Sequence, residues 1–176
     1  MTDPRSFAPS PPGWTVDWQA LEATYEWVRA LSECPQDPGW HAEGDVGTHT
    51  RMVLEELAAL PGWRSLPVEE REAVFLAALF HDVEKPRTTR TEADGRVTAR
   101  HHSRLGAVRT RRILWEIGVP FRLRELVCAL VRHHQDPFWL APRDDAMHAA
   151  IRLSWILRCD LLALVTEADG RGRRCE

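Results

Sequence analysis

Apolar positions recur along this chain with the 3.6-residue period of amphipathic helices, interrupted by a few short breaks. Trp18, Leu21, Tyr25, Val28 and Leu31 predict a first helix, and a break follows from Pro35 to Gly47. Thr48 is placed to cap a second helix carrying Met52, Val53, Leu57 and Leu60, which Pro61-Gly62 ends. Pro67 suits the first turn of a third, where Glu69, Glu70 and Glu72 put negative charge at the positive end of the helix dipole. From Ala73 to Phe80 this helix is apolar on every face, so it should run through the core and deliver His81 and Asp82 at its buried end.

Beyond it, the Thr-rich alternation from Arg87 to Arg100, centred on the two-residue turn signal Asp94-Gly95, predicts a short β-hairpin. A fourth helix runs from about Ser103 through Leu105, Val108, Ile113, Leu114 and Ile117, with Gly118 placed to stop it. Pro120 opens a fifth, with Phe121, Leu123, Leu126, Val127, Leu130 and Val131. Pro137 and Pro142 bracket a loop, and Asp144 and Asp145 start a long last helix through about Ala168. The expected fold is therefore all-α. A bundle of about six helices fills residues 14–176, behind a Pro-rich flexible head at 1–13, with one hairpin around 87–100.

Composition narrows the class. A chain of 176 residues fits a single domain that buries a full core without disulfide or metal staples. With 44% hydrophobic and 28% charged residues it is neither disordered nor fibrous. Its apolar runs fall far short of the ~20 residues of a membrane span, and the N-terminus lacks a signal-like apolar stretch, so a cytoplasmic location is expected. The 4 cysteines are scattered without a zinc-ribbon spacing and read as reduced thiols. A net charge of -3 argues against indiscriminate nucleic-acid binding. Yet the stretch Lys85–Arg112 carries a net +7, suited to a surface facing an anion. Among 23 basic residues, only Lys85 is lysine.

Histidine carries the chemistry. The 8 imidazoles are His41, His49, His81, His101, His102, His133, His134 and His148, many beside apolar helix segments. Burying so many without a shared partner is costly, whereas a metal centre satisfies them together. At a helix end, His81 and Asp82 can converge on one ion, and such mixed nitrogen and oxygen ligation suits Mn, Ni, Co, Fe or Zn. Of the 8 tryptophans, Trp18, Trp27 and Trp115 fit core faces, while Trp40, Trp63 and Trp139 fall in predicted loops. Packing is the commoner role for each, although Trp139 follows His134 closely enough to stack on a base at a site mouth.

His49 in DVGTHTRMVLEEL, His81-Asp82 in AALFHDVEKP and an aspartate in the last helix together resemble the HD-domain metal-dependent phosphohydrolases. HAEGDVGTHT, FHDVEKPRTTRTEADGRVTARHHSRLGA and TEADGRGR are similar to the HD domain of bacterial tRNA nucleotidyltransferases. They are equally similar to the HD module fused to P-loop polynucleotide kinases in RNA end repair, where VRHHQDPFWL also has a counterpart. The likeness implies an HD-domain bundle holding one or two divalent transition-metal ions. His49, His81 and Asp82 would be ligands, closed by Asp169 or, alternatively, by Asp160. These two are nine residues apart, about 900° of helical rotation, so only one should reach the ion.

The same resemblance favours His102 and His134 within their doublets, as ligands of a second metal or as direct phosphate contacts. Lys85 sits at the family's HDxxK position, four residues after His81, and would touch a phosphate oxygen, while Asp82 would double as the base that orients water. Arg87, Arg90, Arg100 and Arg104 are placed to steer or grip further phosphates, and Arg171, a further substrate contact, follows the closing aspartate with Arg173. The implied activity is hydrolysis of nucleotide or RNA 3'-end phosphoesters, with 2',3'-cyclic phosphate or 2'-phosphate preferred. The alternatives are a small-nucleotide phosphatase acting on deoxynucleotides or alarmones, and a non-catalytic RNA-binding or regulatory module. A P-loop kinase or nucleotidyltransferase domain accompanies the module in fused relatives, and no membrane partner is expected.

Overall fold

The computed structural model describes residues 2–140 and 142–175, and shows an all-α domain with one small antiparallel hairpin. At its centre lies α5 (Val68–Phe80), in which every residue from Ala73 to Phe80 is at most 1% exposed. It packs on α3 (Val46–Ala59), α8 (Phe121–His133) and α11 (Cys159–Arg171). A helix apolar all round can only be satisfied by neighbours on every side, which is why the other elements wrap around this one.

Some helix ends follow the expected signals. α7 (His102–Glu116) closes in a Schellman motif at Gly118, whose φ of 79° suits glycine: Val119 N–H donates to Leu114 O and Gly118 N–H to Trp115 O. Pro120 then caps α8, so α7 and α8 form a helical hairpin. Asp45, rather than Thr48, caps α3: its carboxylate accepts from the Thr48 N–H at 2.8 Å and from the Thr48 hydroxyl at 2.9 Å.

The bundle has more pieces than the pattern predicts. The first expected helix is divided into α1 (Trp18–Thr24) and α2 (Glu26–Ser32) by an extended Tyr25. Thr24 donates its hydroxyl back to Ala20 O, a bond that bends helices. Tyr25 turns to meet Phe7 and Trp27 and donates its hydroxyl to Thr2 O. The Pro-rich head therefore lies against the bundle, with Pro4 buried in a short 3-10 turn. The long last helix is likewise divided, into α10 (Ala146–Ser154) and α11, where Arg158 adopts an extended backbone and pairs with Glu70 and Asp160. Single turns complete the set: α4 (Pro61–Arg64), α6 (Lys85–Thr88) and α9 (Asp136–Leu140), the last replacing the expected Pro137–Pro142 loop.

The hairpin pairs β1 (Thr89–Thr91) with β2 (Val97–Ala99), Arg90 facing Thr98. Its tip is a three-residue loop rather than the two-residue Asp94-Gly95 turn, because Glu92 pairs with Arg96 and Gly95 takes a φ of 85°. Trp115 is 66% exposed, against expectation, whereas Trp63 is fully buried in α4. Among the described residues no helix is long and apolar enough to cross a membrane.

Gly47 sets how closely α2 and α3 approach, since a Cβ there would fall 2.7 Å from the Ser32 backbone nitrogen. Gly47→Ala should destabilise the fold by about 1–3 kcal/mol in denaturant melts. Gly106→Ala, whose nearest neighbour would sit at 3.6 Å within α7, should be neutral or stabilise by about 0.5–1 kcal/mol.

Candidate metal centre

The last residues of α5 leave the core as a tight turn carrying His81 and Asp82, both nearly inaccessible. Around them converge His49 from α3, His102 at the start of α7, His134 at the end of α8 and Asp169 from α11, all buried. His49 Nε2 lies 3.2 Å from Asp169 Oδ1 and 4.0 Å from Asp82 Oδ2. His81 Nε2 lies 3.1 Å from Asp82 Oδ2, and His102 Nε2 lies 3.3 Å from Asp82 Oδ1. The side chains fall into two triads able to hold an ion, His49/His81/Asp169 and Asp82/His102/His134, and Asp82 touches members of both.

Backbone geometry fixes how three of these rings face the centre. His81, His102 and His134 each point Nδ1 at a carbonyl three residues earlier, Ala78, Ala99 and Val131, at 2.7, 2.7 and 2.8 Å. A carbonyl only accepts, so Nδ1 carries the proton and Nε2 presents a lone pair inward. This is the orientation that metal-bound histidines take from their outer partners. The inward atoms are left over: His49 Nε2, His81 Nε2, His102 Nε2, Asp82 Oδ1 and Asp169 Oδ2 are buried with no hydrogen-bond partner among the described residues. Buried polar atoms are rarely left so, and here they face one another as a set. Imidazole nitrogen with carboxylate oxygen is a donor set that fits a divalent transition ion.

Electrostatics support the same picture. Burial pushes the Asp82 carboxyl up, but His81, Lys85 and His102 outweigh it and hold the group well below the ordinary range. Asp169 is held low in the same way, against burial, by His49, His81 and Arg173. Burial, with the neighbouring His81 and His102, drives His134 down to about 3, so its ring is neutral and free to ligate. His49 is raised despite burial, because Asp169 and Glu43 favour its charged form, a role that a bound cation would take from the proton.

Glu43 was not suggested by the sequence pattern. Its Oε1 lies 2.7 Å from His41 Nδ1 and 3.0 Å from His49 Nδ1, the latter close enough for charge pairing but not aligned as a hydrogen bond. Its other oxygen accepts the Arg174 N–H at 2.9 Å, tying the chain's end to this loop. Only HAEG placed just ahead of His49 hinted at it.

The other expected residues divide by location. Lys85 does not continue α5 but starts α6, and its ammonium reaches Asp82 Oδ2 at 2.8 Å and Gln36 Oε1 at 2.7 Å. It also lines a pocket of about 540 Å³ that opens beside His41, His102 and Arg173. Arg173 meets Asp169 Oδ1 at 2.9 Å. Asp160 is exposed and paired with Arg158, away from the cluster. Arg87, Arg90, Arg100, Arg104 and Arg171 lie outside the pocket lining; Arg171 pairs with Glu167. In the doublets, His101 is exposed and His133 pairs with Asp136, so neither joins the centre.

Comparison with known proteins identifies the family. The HD domain family matches residues 46–169, from the first residue of α3 to the buried aspartate of α11. The chain belongs to the HD domain family. The chain is 29% identical to the Multifunctional CCA protein of Hahella chejuensis, over 89% of this chain and 36% of that protein. It is 32% identical to the Multifunctional CCA protein of Xanthomonas axonopodis pv. citri, covering 89% and 37%, respectively. A 36% identity to the protein of the same name from Halorhodospira halophila covers 61% of this chain and 23% of the other. The chain thus spans about a third of the length of the first two relatives.

Glu43→Gln keeps the shape but removes the charge that orients His49. It should weaken Mn²⁺ or Ni²⁺ binding by about 10- to 100-fold in equilibrium dialysis, with the helical circular-dichroism signal unchanged.

Proposed function

We propose that this HD domain is a metal-dependent phosphohydrolase acting on nucleotide or RNA-end phosphoesters, with 2',3'-cyclic phosphate or 2'-phosphate ends preferred. The observation that carries the proposal is the set of unpartnered, inward-facing imidazole nitrogens and carboxylate oxygens adjoining an open pocket. The likeness to bacterial tRNA nucleotidyltransferase HD domains supports an RNA end as substrate. A nucleotidyltransferase or P-loop kinase domain as working partner fits the same likeness.

His49, His81, Asp82 and Asp169 would hold the first ion, and His102 and His134, with Asp82, a second. When bound, a divalent ion there supplies Lewis acidity toward a phosphoryl oxygen and lowers the pKa of water. The protein's own groups do the rest. In the one-ion form, Asp82 Oδ1, without a hydrogen-bond partner among the described residues, would be the acceptor that orients the attacking water. Lys85 touches Asp82 and also lines the pocket, so its ammonium neutralises charge that develops on the phosphoryl oxygens. Arg173 adds a second fixed cation to the same pocket, held by Asp169.

Metal-replete protein should hydrolyse 2',3'-cyclic mononucleotides faster than 5'-monophosphates. Lys85→Arg should cut turnover about tenfold or more while leaving metal content intact, because a planar fork does not replace a compact ammonium between Asp82 and Gln36. Preference for 5'-monophosphates would identify a small-nucleotide phosphatase instead. Hydrolysis of no phosphoester would leave a non-catalytic module and contradict the proposal.

A further inference from the structure

The pocket that opens beside the metal centre has a second kind of wall. Trp40 and Trp139, 67% and 70% exposed, line it together with Phe138, although large indoles in water are costly unless something covers them. Phe138 is held in place: the Arg173 guanidinium lies 5.0 Å from its ring centroid, and the ring lies beside Gly170 of α11. Through Arg173 this wall is joined directly to Asp169 of the centre. Trp40 is held from the other end of the chain, its carbonyl accepting from the Cys175 thiol while Ala42 N–H donates to Arg174 O.

A ligand able to use both walls carries an anion for the cationic side and a flat apolar ring for the indoles. An inorganic phosphate or a sugar phosphate meets only the first.

We propose that Trp40, Phe138 and Trp139 form a nucleobase-stacking subsite, which selects nucleotides over other phosphoesters. The inference rests on the phosphohydrolase reading for the placement of the phosphate, and adds the group that recognises the rest of the substrate. Stacking is tolerant of base identity, because every base has a π-face, so the subsite selects for a base rather than for one base.

The test compares adenosine 2'-phosphate with ribose 2-phosphate on the metal-loaded protein, together with guanosine and cytidine 2'-phosphates. Affinity is read as Kd by titration where no phosphate is released and as KM where it is. The three nucleotides should bind alike, and about tenfold or more tighter than the sugar phosphate, the scale of one base–aromatic stack. Trp139→Ala and Trp40→Ala should each erode that preference by raising the nucleotide's constant and not the sugar phosphate's. Trp115→Ala, which removes an equally exposed indole outside the pocket lining, should leave it intact. Equal constants for nucleotide and sugar phosphate, absence of nucleotide binding, or a preference that survives both pocket substitutions would overturn the subsite. A tenfold preference with hydrolysis of neither the 2'-phosphates nor 2',3'-cyclic mononucleotides would uphold the subsite and refute the hydrolase reading.

Discussion

Asp82 is a carboxylate taken out of water at the end of the most apolar helix in the chain, and the structure is arranged around keeping it charged. A lone buried carboxylate would take up a proton rather than bear the desolvation cost. Here His81, His102 and Lys85 surround it within hydrogen-bonding or near-hydrogen-bonding distance, and His49 stands at 4.0 Å. Each comes from a different segment: the turn after α5, the start of α7, the start of α6 and the first half of α3. The packing of α3, α7, α8 and α11 about α5 is thus also the assembly of a polar centre, and neither makes sense without the other. The apolar faces bring the helices together, and the inward lone pairs require a cation where they meet.

The proposed function rests on an asymmetry in how the centre is enclosed. Asp82, His134, His49 and Asp169 are sealed, whereas Lys85, His102, His41 and Arg173 also border the pocket. An anion in the pocket would therefore meet cations and donors at the surface of a site whose carboxylates face inward. In this setting the single lysine acquires meaning. It is the basic residue bonded at once to the central aspartate and to Gln36, in a space where an ammonium fits and a fork of donors would crowd.

The sequence made part of this legible for clear physical reasons. The all-apolar run Ala73–Phe80 and the Gly118 stop are strong local signals, and both elements form where the pattern puts them. The nine-residue separation of Asp160 and Asp169 forces them onto different faces of α11, and one is exposed while the other joins the cluster. The break before α11 was hidden, because Leu153, Leu157 and Leu161 keep helical spacing straight through it and no glycine or proline marks it. The bend at Tyr25 depends on Phe7 and Thr2, partners too remote in sequence to read. Beyond the HAEG hint, Glu43 was hard to read for a similar reason: its value lies in contacts to His41, His49 and Arg174 that only the closed loop creates. The arginines could not be placed from sequence, since an arginine-rich stretch shows charge but not direction; Arg87, Arg100 and Arg171 pair locally with carboxylates.

The most direct measurement of the central claim is the metal content of the purified protein by elemental analysis, alongside Asp169→Asn and Asp160→Asn. A centre built from His49, His81, Asp82 and Asp169 predicts at least one divalent transition ion per folded chain, lost or greatly reduced in Asp169→Asn and retained in Asp160→Asn. A folded, stable protein that neither contains nor takes up such an ion, or one whose ion survives Asp169→Asn and departs with Asp160→Asn, would contradict it.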